Sequence, residues 1–349
     1  MAFNSDAARR VLDDAIRSRV FPAAATDVGN SDGPLWQDAF GALAFETDAS
    51  PTRIQTPFDL ASLTKPIATA TVFMRLVEDR AVALDEHVSA CFGEWSGPDR
   101  RDATVADLLE HAAGLPARLF EQAPGGRREF EHDICTMPLE YKPRARSIYS
   151  DLGFILLGFL AADRGGASLS SQFASVVNMI APGLTFTLPP DSRRVAAPTT
   201  ALDEDLRRGR TLVGEVHDNY AAALGGAAGH AGLFGTAPDV GAYARAILSA
   251  SRGRGQAPPF TTKLVRRFTT RSTVPGSSRA LGWDTMLTTS SCGTRMSASA
   301  FGHVGFTGTS LWIDPDRDRY FVLLTNRAHG GGSLDHMRDV RRAFHDALA

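Results

Sequence analysis

Strand-type runs near both ends of the chain, separated by a long helix-rich stretch, do most to narrow what it can fold into. Ala23–Val28 and Trp36–Phe45 read as short strands joined by a turn containing Asn30-Ser31-Asp32-Gly33. Leu311-Trp312-Ile313 and Tyr320–Thr325 are β-type runs flanking Asp314-Pro315-Asp316-Arg317-Asp318, a good hairpin signal. Amphipathic helices bracket these strands. Residues 5–19 place Ala8, Val11, Leu12, Ala15 and Ile16 on one face, and a closing helix from Ser333 does the same with Leu334, Met337, Val340, Phe344 and Leu348. Between the ends, Thr104-Val105-Ala106-Asp107 has capping-box character, and Asp151–Ala162 and Ser168–Ile180 read as helices. Thr236-Ala237-Pro238-Asp239 starts another, running to about Ala250. The pattern predicts an α/β (α+β) chain whose termini share one sheet. Residues 1–65 and 206–349 would form a discontinuous sheet domain, and 66–205 a mostly helical insertion.

Composition excludes several function classes. A formal charge of -2 over 349 residues gives no reason to expect nucleic acid or an anionic membrane as partner. The longest apolar run, Phe154–Ala162, is too short to span a bilayer. The N-terminus, Met1–Asp6, lacks a basic region followed by an apolar core, so a cytoplasmic enzyme is expected, or a periplasmic one if a leader was removed. Cys91, Cys135 and Cys292 are odd in number and far apart, which reads as buried free thiols. His217, His230 and His303 match no short zinc signature, and Gly225-Gly226 lacks a phosphate-binding context, so neither metal nor cofactor is expected. His230, between glycines, reads as a loop residue near a cleft. The tryptophans read as packing, with Trp283 a candidate substrate platform, and Arg127-Arg128 and Arg144–Arg146 as solvated loop faces.

Chemistry is signalled first by Ser62-Leu63-Thr64-Lys65. Lys65 is one of only three lysines among 37 basic residues, so this chain uses arginine wherever a plain cation suffices. Lysine can lose its proton when desolvated, whereas arginine in practice cannot. From Ser62 a helix would carry Ile67, Ala70, Met74 and Val77 inward, with Pro66 tolerated in its first turn. Serine and lysine at i and i+3 then share one face. If Lys65 were the base, burial would have to drive its pKa from about 10.4 towards 7, a differential cost of roughly 4–5 kcal/mol.

Two further segments complete a constellation. Tyr149-Ser150-Asp151 sets a phenol and a carboxylate at a helix start, and Gly302-His303-Val304-Gly305-Phe306-Thr307-Gly308 precedes the C-terminal hairpin. Glycines in such a strand permit close approach of another backbone or ligand. In this order, Ser-x-x-Lys, Tyr-x-(Asn) and Lys/His-(Thr)-Gly, the motifs resemble those of class C β-lactamases, related penicillin-binding proteins and β-lactamase-like esterases. Phe58-Asp59-Leu60-Ala61, Leu108–Leu115, Gly225–Phe234 and Leu324-Thr325-Asn326-Arg327 are similar too, so the resemblance spans roughly residues 20–345.

The resemblance implies an antiparallel sheet carrying both terminal helices, an inserted helical lobe, and a site between them. Ser62 would be acylated, Lys65 its proton partner, and Tyr149 the phenol that activates it and protonates the leaving group. The backbone N–H groups of Ser62 and Phe306 would form the oxyanion hole, beside Gly305. Asp151 stands where the motif usually has asparagine, and its charge would favour the Lys65 ammonium and shift the base role to Tyr149. His303 stands where a lysine is usual and, largely neutral at pH 7, weakens the case for β-lactam hydrolysis. Arg327 is a candidate to restore that charge. The expected activity is a serine hydrolase working through an acyl-enzyme on small esters, amides or D-amino-acid peptides, of carboxylesterase or D-alanyl peptidase type. A true β-lactamase, an acyltransferase and a slowly acylating sensor are the alternatives.

Overall fold

Both ends of the chain meet in a six-stranded antiparallel sheet. Its strands are β1 (Ala23–Gly29), β2 (Pro34–Gly41), β3 (Asp284–Thr285), β4 (Phe301–Val304), β5 (Ser310–Asp314) and β6 (Arg319–Thr325), in spatial order β2-β1-β6-β5-β4-β3. The computed structural model describes residues 4–119, 123–255, 257 and 259–349. Register sets Val28 opposite both Phe321 of β6 and Trp36 of β2. The strand expected over Trp36–Phe45 stops at Gly41, whose φ of +68° turns the chain away.

Five helices frame the sheet and the site: α1 (Asp6–Arg17), α2 (Thr71–Glu78), α3 (Asp151–Gly165), α4 (Ala237–Ser249) and α5 (Leu334–Leu348). β6 reads as a continuous apolar run because both of its faces are covered. Phe321 and Leu323 pack with Leu12 of α1 and with Met337 and Phe344 of α5. Tyr320, Val322 and Leu324 point the other way, into a core shared with Val240, Tyr243 and Ile247 of α4. Removing one such side chain, as in Phe344→Ala, costs about 3–5 kcal/mol. Leu334 departs from the expected apolar face of α5: it is 51% exposed and lines a cleft instead of the core.

Helical segments fill the middle of the chain. α3 is buried all round from Asp151 to Ala161, so it carries no amphipathic pattern, and it ends where Gly166 adopts φ +65°. The next helix starts at Leu169, with the Ser168 hydroxyl accepting from the Ser171 N–H. No single helix among the described residues is long and apolar enough to cross a membrane. Cys135 and Cys292 are buried free thiols, whereas Cys91 is only half-buried, contrary to expectation. Arg127 and Arg128 open a helix, Arg127–Thr136, instead of lying on a loop. Arg144–Arg146 lie exposed on a loop as expected, and the Arg144 guanidinium also pairs with the buried Asp107 at 2.7 Å.

Candidate active site

A strained turn presents Ser62. Ala61 sits in the left-handed region at φ +48°, a position that costs a non-glycine on the order of 1 kcal/mol. The Asp59 carboxylate holds it there, accepting from the Ala61 N–H at 2.8 Å and from the His217 N–H at 2.6 Å. Burial pushes the Asp59 carboxyl up to about 6 despite these donors. The helix begins tightly over Ala61–Leu63, widens over Lys65–Ala70, and then continues as α2. Ile67, Ala70 and Met74 are fully buried as expected, and Val77 partly.

One turn on, Lys65 is wholly enclosed and its Nζ is saturated. It donates to Ser62 Oγ at 3.1 Å, to Asp151 Oδ1 at 2.7 Å and to the His230 carbonyl at 3.1 Å. Burial works against the ammonium, but Asp151 and Tyr149 outweigh it, and the pKa lies above the ordinary lysine value. Lys65 therefore rests as a cation and does not approach the neutral amine that a base would need. Gly229 makes the His230 contact accessible: a Cβ there would come within 1.9 Å of the Phe154 carbonyl oxygen, so only glycine lets this loop close on α3.

Tyr149 arrives just ahead of α3, and its hydroxyl donates to Ser62 Oγ at 2.6 Å. Its ring lies between His111 and His303, at centroid distances of 4.7 and 5.8 Å. Burial raises the phenol above its ordinary value, with the Lys65 charge opposing. At the helix start, Asp151 faces Lys65 with one oxygen and Arg118 with the other, 2.8 Å away. Burial alone would push this carboxyl up, yet Lys65, with His230 and Arg118, holds it below the usual range. The same Arg118 reaches Asp218 at 3.0 Å and Asn219 at 2.7 Å, and Asp218 contacts His230 Nε2 at 2.7 Å.

The turn between β4 and β5 closes the site. Gly305 lies so near the Ser62 turn that a Cβ would sit 2.7 Å from the Leu60 carbonyl oxygen and 2.1 Å from Thr309 Oγ1. Two hydroxyls sew the segments together, Thr307 donating to the Asp59 carbonyl at 2.8 Å and Thr309 to that of Leu60 at 3.0 Å. From α5, the buried Arg341 donates to the carbonyls of Gly305 and Thr309 at 2.6 and 3.0 Å. The backbone N–H groups of Ser62 and Phe306 find no protein acceptor among the described residues, and both residues line the cleft. Free, paired donors of this kind suit a developing oxyanion.

His303 differs from a lysine in more than charge. Its Nδ1 lies 2.8 Å from the Val304 carbonyl, which can only accept, so Nδ1 carries the proton. Nε2 is then a bare acceptor, buried and without a protein partner among the described residues. Burial, reinforced by Arg279 and Lys65, holds the pKa well below 6.5, and the ring is neutral. Arg327 does not restore the missing cation, because its guanidinium is spent on the Phe306 and Gly332 carbonyls. Arg279 does reach the cleft, its Cζ 5.0 Å from the centre of the Tyr149 ring.

These residues surround a cleft of about 490 Å³. The structure thus brings together Ser62, Lys65, Tyr149, Asp151, His303, Gly305 and Phe306. Trp283 is not a substrate platform: it is fully buried and packs edge-on against Phe301, 5.2 Å away. Sequence reasoning missed Arg118, Asp218, Arg279, Arg341 and the wall role of His217, all of which line the cleft. Their one sequence signal was the local N-cap pattern at Asp218, which says nothing about a site. Among the described residues, no group of three His, Cys, Asp or Glu side chains is placed to hold a metal ion.

Comparisons with known proteins bear on the family and the fold. A model of the family described as Beta-lactamase matches residues 8–345. A putative D-alanyl-D-alanine carboxypeptidase of Escherichia coli (strain K12) is 30% identical over 308 residues, covering 78% of this chain and 70% of that protein. Its counterpart in Salmonella typhimurium (strain LT2) is 31% identical over 315 residues, with the same coverage of 78% and 70%. In fold, the chain is similar to EstCE1, a hydrolase with promiscuous acyltransferase activity, at TM-score 0.76, 18% identity and 98% coverage of both chains. It is equally similar to a class C β-lactamase from Rhodobacter sphaeroides, at TM-score 0.76, 18% identity and 99% coverage of both.

Proposed function

Since this chain belongs to the β-lactamase family and is a serine hydrolase, we propose that Ser62 is its nucleophile and that it cleaves small carboxylic esters or D-alanyl peptides, with little action on β-lactams. The observation that carries this reading is the 2.6 Å hydrogen bond from Tyr149 to Ser62 Oγ, made beside a Lys65 ammonium that Asp151 keeps charged. Loss of one proton from the Lys65–Tyr149 couple can leave either amine and phenol or ammonium and phenolate. The adjacent carboxylate favours the second.

In the proposed cycle, the Tyr149 phenolate takes the Ser62 proton as Oγ attacks the carbonyl carbon. The N–H groups of Ser62 and Phe306 receive the oxyanion. Collapse breaks the bond to the leaving group, which takes the proton from Tyr149. Water then attacks the acyl-enzyme and gives its proton to Tyr149, which returns it to Ser62 Oγ as the acid departs. The names of the E. coli and Salmonella relatives support a D-alanyl peptide substrate, and the neutral His303, which offers no cation to a substrate carboxylate, supports an ester.

The test is a fluorophosphonate probe with mass mapping, followed by p-nitrophenyl esters, a D-Ala-D-Ala peptide and nitrocefin. We expect labelling at Ser62, its loss in Ser62→Ala, and turnover of an ester or the peptide at least a hundredfold above nitrocefin. A probe that leaves Ser62 unlabelled would overturn the proposal.

A further inference from the structure

Four imidazoles lie at or against the cleft, and three have work to do. His111 Nδ1 accepts from the Ser150 N–H, His230 Nε2 meets Asp218, and His303 Nδ1 donates to Val304. His217 differs: both of its ring nitrogens are buried without a partner among the described residues, although the residue is only 3% exposed and lines the cleft. Buried polar atoms are nearly always paired, so two on one ring mark a place where something else binds. Burial also pushes this imidazole down to about 4, leaving it neutral, with one N–H donor and one lone-pair acceptor.

The ring is held in a fixed orientation. Its plane stacks on Phe306 at 5.3 Å and 17°, and its backbone N–H is tied to Asp59. Phe306 carries the second proposed oxyanion donor, so His217 is separated from the substrate carbonyl by a single side chain. The leaving group belongs on the side of Tyr149, which must protonate it, and Tyr149 is walled by His111 and His303. The His217 side therefore faces the acyl half. The cleft wall also carries Leu202, Leu334 and the 39%-exposed Phe306, alongside the charged Asp218 and Glu204.

Resting on the reading of Ser62 as nucleophile, we propose that His217 determines acyl specificity: it hydrogen-bonds an amide, hydroxyl or keto group a few bonds from the scissile carbonyl. A plain hydrocarbon chain of the same length fits the pocket and leaves both nitrogens bare. Discrimination comes from that loss, on the order of tenfold for one net hydrogen bond.

The experiment compares p-nitrophenyl N-acetylglycinate with p-nitrophenyl pentanoate, which share a leaving group and chain length. The ratio of their kcat/KM values is taken in the wild type, His217→Phe, His217→Leu and His217→Asn, so intrinsic ester reactivity cancels. His217→Phe keeps a flat ring on Phe306, and the ratio should fall about tenfold in both apolar variants. His217→Asn, which retains a donor and an acceptor, should keep most of the wild-type ratio. On unaltered protein, acetamidomethylboronic acid should inhibit about tenfold more tightly than butylboronic acid, a measurement that needs no variant to fold. A ratio within twofold of wild type in a folded apolar variant, or equal inhibition by the two boronic acids, overturns the inference. If Ser62 is labelled and esters turn over while the ratio stays put, only this inference falls. If no ester is turned over and Ser62 stays unlabelled, the nucleophile reading falls first and takes this one with it.

Discussion

Lys65 and Asp151 form an enclosed ion pair, Nζ to Oδ1 2.7 Å, across 86 residues of sequence. The pair decides the proton inventory of the site. It favours the charged lysine and keeps the carboxylate ionised, and in the proposed cycle the proton that moves is that of Tyr149.

Asp151→Asn should therefore shift the pH dependence. The carboxylate stabilises the ammonium and repels a phenolate, so it raises the pH at which the Lys65–Tyr149 couple loses a proton. Removing its charge while keeping an acceptor oxygen lowers that pH, and the ascending limb of kcat/KM should move to the acid side. An unmoved limb would show that the Asp151 charge does not govern the titration of the couple.

Tyr149→Phe keeps the ring between His111 and His303 and removes the hydroxyl that touches Ser62. We expect kcat/KM for an ester to fall about a thousandfold, in the range of lost general acid–base catalysis, with Tm nearly unchanged. A loss under tenfold would mean that Tyr149 is packing.

Arg118 stands between two carboxylates, Asp151 and Asp218, both held below their ordinary values despite burial. Groups with depressed folded-state values stabilise the fold above their unfolded value, near 4, and that stabilisation drains away as pH falls through the folded values. Arg118→Gln removes one cause of the depression and should move the acid-unfolding midpoint to higher pH, read by circular dichroism. Part of the guanidinium is solvent-exposed, which softens the effect.

Gly305→Ala would drive a methyl into the Leu60 carbonyl and Thr309 Oγ1. The β4–β5 turn must then back away from the Ser62 turn, at about 1–3 kcal/mol of overpacking. The expected signature is a loss of at least a hundredfold in the rate of fluorophosphonate labelling, out of proportion to the fall in Tm. A variant that labels at the wild-type rate would show that the segment can move without consequence.

Much of the fold was legible because its signals are local. β6 announces itself as Tyr320–Thr325, α5 by its apolar spacing, and the helix at Val105 by a capping box that forms as read between Thr104 and Asp107. Ser62 and Lys65 were legible for the same reason, being one turn apart on one helix. Tyr149, Asp151 and His303 needed the order of three motifs along the chain, which the resemblance supplied. Arg118, Asp218 and Arg279 could not be read, since an arginine's partners are set by which loops the tertiary fold brings together. Leu334 misled because apolar spacing reports a helix face but not where the helix face runs out of core. Trp283 misled because sequence position near a cleft does not say on which side of the backbone a ring points.

Arg341 binds Gly305 and Thr309 from the last helix, while Asp59, Lys65 and Tyr149 belong to the first half of the chain. The segment facing Ser62 is therefore braced by a helix from the other end of the chain, so the shape of the cleft depends on α5 being in place.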